Sequence, residues 1–212
     1  MTIILQVKRK IKEKDLNKVL EILETGGIIA YPTDTCYGLG VDATNEEAIT
    51  RLRKLKQRSI KQPISIVVDS METIKKYAVL TPQIEFLIKQ FMPGPLTIVA
   101  NKTELVPDIL NIEGISFRIP DNPITLSILS KFKKPVTSPS ANPRGLKPSY
   151  NVKQVINYFD EKLDLIVDVG ELPRIKPSTI IDMRSDHPIL IREGPIPFNK
   201  IIEELKKFGS VK

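Results

Sequence analysis

A chain of 212 residues with 41% hydrophobic content has enough apolar material for one sizeable core or two small ones. A single cysteine excludes an internal disulfide and a cysteine-rich zinc site, and a single histidine argues against a histidine-based metal site. A formal charge of +7 fits a polyanionic ligand such as a nucleotide or RNA, and fits a solvated basic surface as well.

The start, Met1 to Leu5, becomes charged by Lys8 and lacks the apolar core of a secretory signal. No run approaches the roughly 20 apolar residues that cross a bilayer, so a cytoplasmic protein without a membrane partner is expected. Leu16, Val19, Leu20 and Leu23 share a helical face, and Gly26-Gly27 supplies a left-handed cap. Ile28 to Tyr31 reads as a buried strand. Asn45 is the N-cap of a second helix, with Glu46 and Glu47 against its dipole and an end near Lys56. Ile64 to Val68 is a strand, and Thr81-Pro82 opens a helix that runs through Phe91.

Further strands fit Leu96 to Ala100, Ile115 to Ile119, Leu165 to Val169, Thr179 to Asp182 and Ile189 to Arg192, followed by a terminal helix from Asn199 to Phe208. Alternating helices and β-branched runs specify an α/β or α+β sheet protein. No repeat or Gly/Ser/Pro-rich linker divides the chain, so residues 1–212 are expected to form a single domain.

Polar groups survive beside apolar runs at strand ends, where sites on α/β scaffolds commonly lie. Tyr31-Pro32-Thr33-Asp34-Thr35-Cys36-Tyr37-Gly38-Leu39-Gly40 offers hydroxyls and backbone amides to a small polar ligand, or is a turn whose side chains satisfy their own backbone. Lys56 and Arg58 fall where the second helix should break and could bind phosphate; a solvated helix face is the alternative, and Arg51 and Lys54 belong to it. Met92-Pro93-Gly94-Pro95-Leu96-Thr97 reads as a rigid turn feeding a strand. Arg118 lies in an apolar strand and needs an anion, either a substrate carboxylate or a structural ion pair. Ser140 and Asn142 could hold phosphate or ribose oxygens or sit in a plain loop, and Ser178 and Arg192 are site or cap. Cys36 has no base nearby in sequence and reads as a packed residue, Tyr31 and Tyr37 as packing groups, and His187 as a turn residue.

In this order, Pro32-Thr33-Asp34-Thr35-x-Tyr37-Gly38-Leu39-Gly40, Lys56-x-Arg58, Pro93-Gly94-Pro95-Leu96-Thr97, Arg118-x-Pro120, Ser140-Ala141-Asn142, Ser178-Thr179 and Arg192-x-Gly194 resemble the YrdC-like threonylcarbamoyl-AMP synthases over roughly residues 15 to 200. The resemblance implies an α/β single domain in which a twisted mixed parallel/antiparallel sheet, flanked by helices, surrounds a large positively lined concave cavity. It implies synthesis of threonylcarbamoyl-AMP and pyrophosphate from ATP, L-threonine and bicarbonate for tRNA t6A37 modification. By the same resemblance Lys56, Arg58, Ser140, Asn142 and Arg192 contact ATP, which brings Mg²⁺, with Lys56 and Arg58 catalytic, and Thr33, Arg118 and Ser178 hold threonine. No residue is assigned as a ligand of the metal. A downstream threonylcarbamoyl transferase complex would take the product, and tRNA or double-stranded RNA could touch the basic surface.

Gln62, Ser59, Ile64, Met92 and the Pro143-Arg144-Gly145 ending depart from the family's commoner residues. Some relatives carry a second domain, and none is expected in these 212 residues. Two competing functions are a non-catalytic tRNA- or double-stranded-RNA-binding protein, against which no aromatic stacking motif is seen, and a carbamoyltransferase-type module, whose acylphosphatase-like and zinc-finger companions are missing.

Overall fold

The computed structural model describes residues 1–185 and 187–209; Asp186 and the last three residues of the expected 1–212 unit lie outside them. The chain runs through β1 (Ile3–Gln6), α1 (Glu13–Glu24), β2 (Ile29–Pro32), β3 (Tyr37–Gly40), α2 (Glu46–Lys56), β4 (Ile66–Val67), α3 (Met71–Tyr77), α4 (Pro82–Phe91) and β5 (Leu96–Ala100). It continues with β6 (Ile115–Arg118), α5 (Pro123–Phe132), β7 (Val136–Thr137), α6 (Val152–Phe159), β8 (Leu165–Asp168), β9 (Thr179–Asp182), β10 (Ile189–Arg192) and α7 (Phe198–Lys207). The expected mixed α/β architecture is present, as two mixed sheets instead of one: a four-stranded sheet ordered β1-β8-β2-β3 and a six-stranded sheet ordered β10-β9-β5-β6-β4-β7. Among the described residues no helix is long and apolar enough to cross a membrane.

Local chemistry sets several helix ends. The Asn45 side chain accepts the Ala48 amide at the start of α2, and Gln57 leaves that helix in the left-handed region at φ 52°. Thr81 caps α4 ahead of Pro82, and Gly26 turns the chain out of α1 with φ 77°. The strand expected over Ile64 to Val68 pairs only at Ile66 and Val67, between β6 and β7. The terminal helix starts and ends one residue earlier than its apolar spacing predicts, and Phe208 beyond it packs its ring 4.9 Å from that of Phe86.

The two sheets differ in how they are covered, and this difference makes the site. The four-stranded sheet is buried on both faces at β2, β3 and β8, while its edge strand β1 exposes Ile4 and Gln6. Ile29, Tyr31, Leu165 and Val167 pack with α1 and α5, while Ala30, Leu39 and Ile166 join the main core on the other side. That is why β2 and β8 are continuous apolar runs instead of alternating ones. The six-stranded sheet buries Leu96, Ile98, Ile115, Phe117 and Ile181 in the main core. Alternate positions therefore face away from that core, as the two-residue period of a strand requires.

β3 approaches its neighbours closely. A Cβ on Gly40 would stand 2.8 Å from Tyr31 Cε1, 2.8 Å from Val136 Cγ1 and 3.0 Å from Ile29 Cγ1. Gly40→Ala is expected to destabilise the protein by about 1–3 kcal/mol through overpacking. Urea unfolding measures this, and a loss below about 0.5 kcal/mol would show that Tyr31 and Val136 can give way.

Candidate functional site

The open face of the six-stranded sheet floors a cavity of about 690 Å³, within the usual range for small-molecule sites. Register sets the floor in rows: Val99 pairs with Asp182 on one side and Ser116 on the other, and all three line the cavity. Thr97 and Ile180 form the next row. The β2–β3 turn and β3 contribute Thr33, Thr35, Cys36 and Gly38, the loop after β7 lies beside β3 through the Gly38–Ser140 bridge, and Arg58 and Lys61 complete the basic part of the lining. The lining holds five cationic side chains, Arg58, Lys61, Arg118, Arg184 and Arg192, against the two acids Glu113 and Asp182, so the interior favours anions.

Six of the expected site residues meet here. Thr33, Arg58, Arg118, Ser140, Ser178 and Arg192 all line the cavity, although they come from positions spread over 160 residues of sequence. Thr33 combines both readings of its motif. Its hydroxyl accepts the amides of Thr35 and Cys36 and donates to the Cys36 carbonyl, forming a tight turn that still borders the cavity. Ser178 and Thr97 share a hydroxyl–hydroxyl bond of 2.8 Å, and Arg192 donates twice to the Ser178 carbonyl at 2.8 and 3.0 Å. Arg58 donates to the Pro63 carbonyl at 2.8 Å. Arg118 pairs with Asp34 at 2.5 Å, so the structural ion pair is present while the guanidinium still lines the cavity.

Lys56 and Asn142 stand apart from that lining. The Lys56 ammonium is 3% exposed at the level of the whole residue and donates to the Ser140 carbonyl and, at 2.8 Å, to the Asn142 carbonyl. Asn142 Oδ1 accepts from the Ser140 hydroxyl at 2.5 Å, and its amide donates to the Pro143 and Leu146 carbonyls. The two residues thus shape the loop that presents Ser140. β3 pins the same loop: Leu39 donates to Pro139 and Ala141 donates to the Tyr37 carbonyl at 2.8 and 2.7 Å.

Burial, aided by the charge of Arg58, pushes the Lys56 ammonium down to about 7. Burial pushes the Cys36 thiol up, which leaves it a poor nucleophile at neutral pH. Partial desolvation and the nearby Arg118 lower the basicity of Arg192.

Some contributing residues are not singled out by sequence reasoning. Thr97 lies in a motif read as a rigid turn, and Asp182 and Arg184 in a strand end read as plain. Polar residues alternating with Leu96, Ile98, Ile115 and Phe117 are the signal that marks one open strand face. Arg53, in the basic run of α2, is 6% exposed and donates to the Ile109, Leu110, Ser59 and Gln62 carbonyls at 2.6 to 3.0 Å. It ties the segment carrying Arg58 to the loop before β6. The departure at Gln62 falls in this segment, where its side chain accepts the Ser59 amide at 3.1 Å.

Residues 21–194 match the family model Sua5_yciO_yrdC, described as "Telomere recombination". A Methanocaldococcus jannaschii protein is 38% identical over 198 residues, 91% of this chain and 93% of that one. A Vibrio parahaemolyticus threonylcarbamoyl-AMP synthase is 31% identical over 185 residues, 85% of this chain and 99% of that one. The crystal structure of Pyrococcus abyssi Sua5 complexed with L-threonine matches with a TM-score of 0.92 at 32% identity. The match covers 100% of this chain and 62% of the Pyrococcus chain, so this chain spans less than two thirds of that protein's length.

The depressed basicity of Lys56 has a thermodynamic signature. Between about 7 and its ordinary 10.5 the unfolded chain holds a proton that the folded one lacks. Stability from this group is therefore lost as pH falls through the folded value and regained as pH rises toward the unfolded one. The stability of the wild type relative to Lys56→Met is expected to be larger at about pH 9 than at about pH 6. Urea midpoints at the two pH values test this, and a pH-independent difference would show an ammonium of ordinary basicity.

Proposed function

Because the chain belongs to the Sua5/YciO/YrdC family, we propose that it condenses L-threonine, bicarbonate and ATP into threonylcarbamoyl-AMP and pyrophosphate, supplying the activated group for tRNA t6A37 modification. The observation that carries this reading is the convergence of Thr33, Arg58, Arg118, Ser140, Ser178 and Arg192 on one cationic cavity. A concave pocket of small-ligand size favours an enzyme over a protein that only holds RNA on its surface.

In this reading the threonine amine adds to bicarbonate with loss of water, giving a carbamate. A carbamate oxygen attacks the α-phosphorus of ATP, the bond to the bridging oxygen breaks, and pyrophosphate leaves. Both reactants are anions, so the protein must neutralise their repulsion and align them. Arg118 takes the threonine carboxylate, with Thr33 and Ser178 beside it. Arg58, Arg192 and the Ser140 hydroxyl face the triphosphate. Lys56 and Asn142 act on the nucleotide through the loop that they hold. No covalent protein intermediate is needed, which agrees with a buried Cys36 whose thiol is held protonated.

Mg²⁺ would enter with ATP and would supply positive charge against the triphosphate. Among the described residues there is no group of three or more His, Cys, Asp or Glu that could hold a metal ion. The product is a mixed anhydride between a carbamate and a phosphate, and a carbamoyl-transferring enzyme complex has to consume it.

Pyrophosphate release from ATP and Mg²⁺ is expected only when L-threonine and bicarbonate are both present. Arg58→Ala is expected to lower kcat/KM by about 100-fold or more while the thermal melt stays within a few degrees. Near-normal turnover in that variant removes Arg58 from the mechanism. A triphosphate near Lys56 also raises its proton affinity, so nucleotide binding at about pH 8 should take up protons. Calorimetry in two buffers of different ionisation enthalpy reads this uptake, which should be lost in Lys56→Met; its persistence there would assign the proton to another group.

A further inference from the structure

We propose that Asp34 is the positioning residue that aims Arg118 into the cavity and thereby sets the affinity of the protein for the carboxylate of its amino-acid substrate. The proposal rests on the reading above, in which that carboxylate is the ligand of Arg118.

Arg118 ends β6, an interior strand between β5 and β4, and its side chain is 7% exposed. A cation on a long flexible stem there needs a fixed anion to hold its direction. Asp34 supplies one from the β2–β3 turn, 84 residues away in sequence, through a single contact of 2.5 Å to Oδ1. The turn is itself rigid, because the Thr33 hydroxyl accepts two of its amides and meets Thr35 Oγ1 at 3.1 Å. Arg118 reaches Thr35 Oγ1 only at 3.4 Å.

The ion pair is incomplete. Asp34 Oδ2 is buried and has no hydrogen-bond partner among the described residues. An ion pair built only for stability would close as a two-pronged fork, satisfying both oxygens and consuming two N–H groups. Arg184 in the same cavity does bind its partner that way, with Nε on Asp182 Oδ1 at 3.0 Å and NH2 on Asp182 Oδ2 at 2.6 Å. The one-pronged contact of Asp34 fixes the guanidinium and leaves its other N–H groups for the cavity, where Thr33 and Ser178 also face. Asp34 does not line the cavity, so its effect on a ligand passes through Arg118.

Calorimetry tests this with L-threonine and, separately, Mg²⁺–ATP on the full chain, accompanied by thermal melts. Asp34→Asn is expected to raise the threonine Kd by about tenfold or more, because an unanchored guanidinium loses its aim, while the ATP Kd changes by less than about twofold. In an Arg118→Gln background, Asp34→Asn should add less than about twofold to the threonine Kd, since the residue acts through the arginine. Equal losses for both ligands, unchanged or tighter threonine binding, or an undiminished effect in the Arg118→Gln background would overturn the proposal. If Asp34→Asn melts below the assay temperature, Asp34→Glu decides. It keeps the charge but displaces the guanidinium, and wild-type threonine affinity in it overturns the proposal as well. Failure of the wild type to bind L-threonine overturns the underlying reading and this inference with it, whereas normal wild-type binding with an unaffected Asp34→Asn removes the inference alone.

Discussion

Backbone carbonyl groups hold Lys56, Arg58, Arg192 and Arg53 in and around the cavity, while Arg118 and Arg184 rest on carboxylates, and much of the site follows from the carbonyl-held group. Lys56 rests on the carbonyls of Ser140 and Asn142, Arg58 on that of Pro63, Arg192 on that of Ser178, and Arg53 on four carbonyls of two loops. A carbonyl dipole fixes a cation's position without cancelling its formal charge, as a carboxylate would. The arrangement therefore stiffens the loops while the cavity keeps an unspent field for an anion. Partial desolvation is the accompanying penalty, visible in the lowered basicity of Lys56, Arg58 and Arg192.

The fold divides two duties between its sheets. The inner strands of the four-stranded sheet are covered on both faces and serve as a fixed wall, so β3 can hold the Pro139–Ala141 segment by a short ladder of backbone bonds. The six-stranded sheet surrenders one face to the cavity. Its polar rows are consequently placed by strand register, a more exact positioner than a free loop. Gly40 serves this division because β3 must pass close to Tyr31 and to Val136 of β7.

Much of this was readable in the sequence wherever one local rule sufficed. Asn45, Thr81 and Gly26 announced their helix ends, and Arg118 among Phe117 and Ile119 announced a cation in need of a partner. Other elements were missed because their signals are weak or conflict. Tyr37–Gly40 carries two glycines that count against a strand, and only tertiary packing resolves it as β3. α3 is seven residues long, too short for a clear helical period, and β1 is a four-residue edge of a sheet whose partners come much later. α5 was missed as well, although Asn122 before Pro123 carries a readable signal, a cap with proline at the first helical position. The direction of a side chain is the least accessible property. Nothing local distinguishes Lys56, which turns behind the Ser140–Asn142 loop, from Arg58 two residues later, which faces the cavity.

The outermost strand pairing has a consequence for how the protein is made. β1 lies parallel to β8, with Ile3 opposite Leu165, and β2 draws its own parallel neighbour from β8 as well. A ribosome adding about 5–20 residues per second needs roughly 10–30 s to travel from one partner to the other. During that interval the apolar edges of β1 and β2 wait in the nascent chain for a mate that does not yet exist. The four-stranded sheet can close only after Asp168 has been synthesised, so completion of this fold is timed by translation of a segment far downstream of β1 and β2.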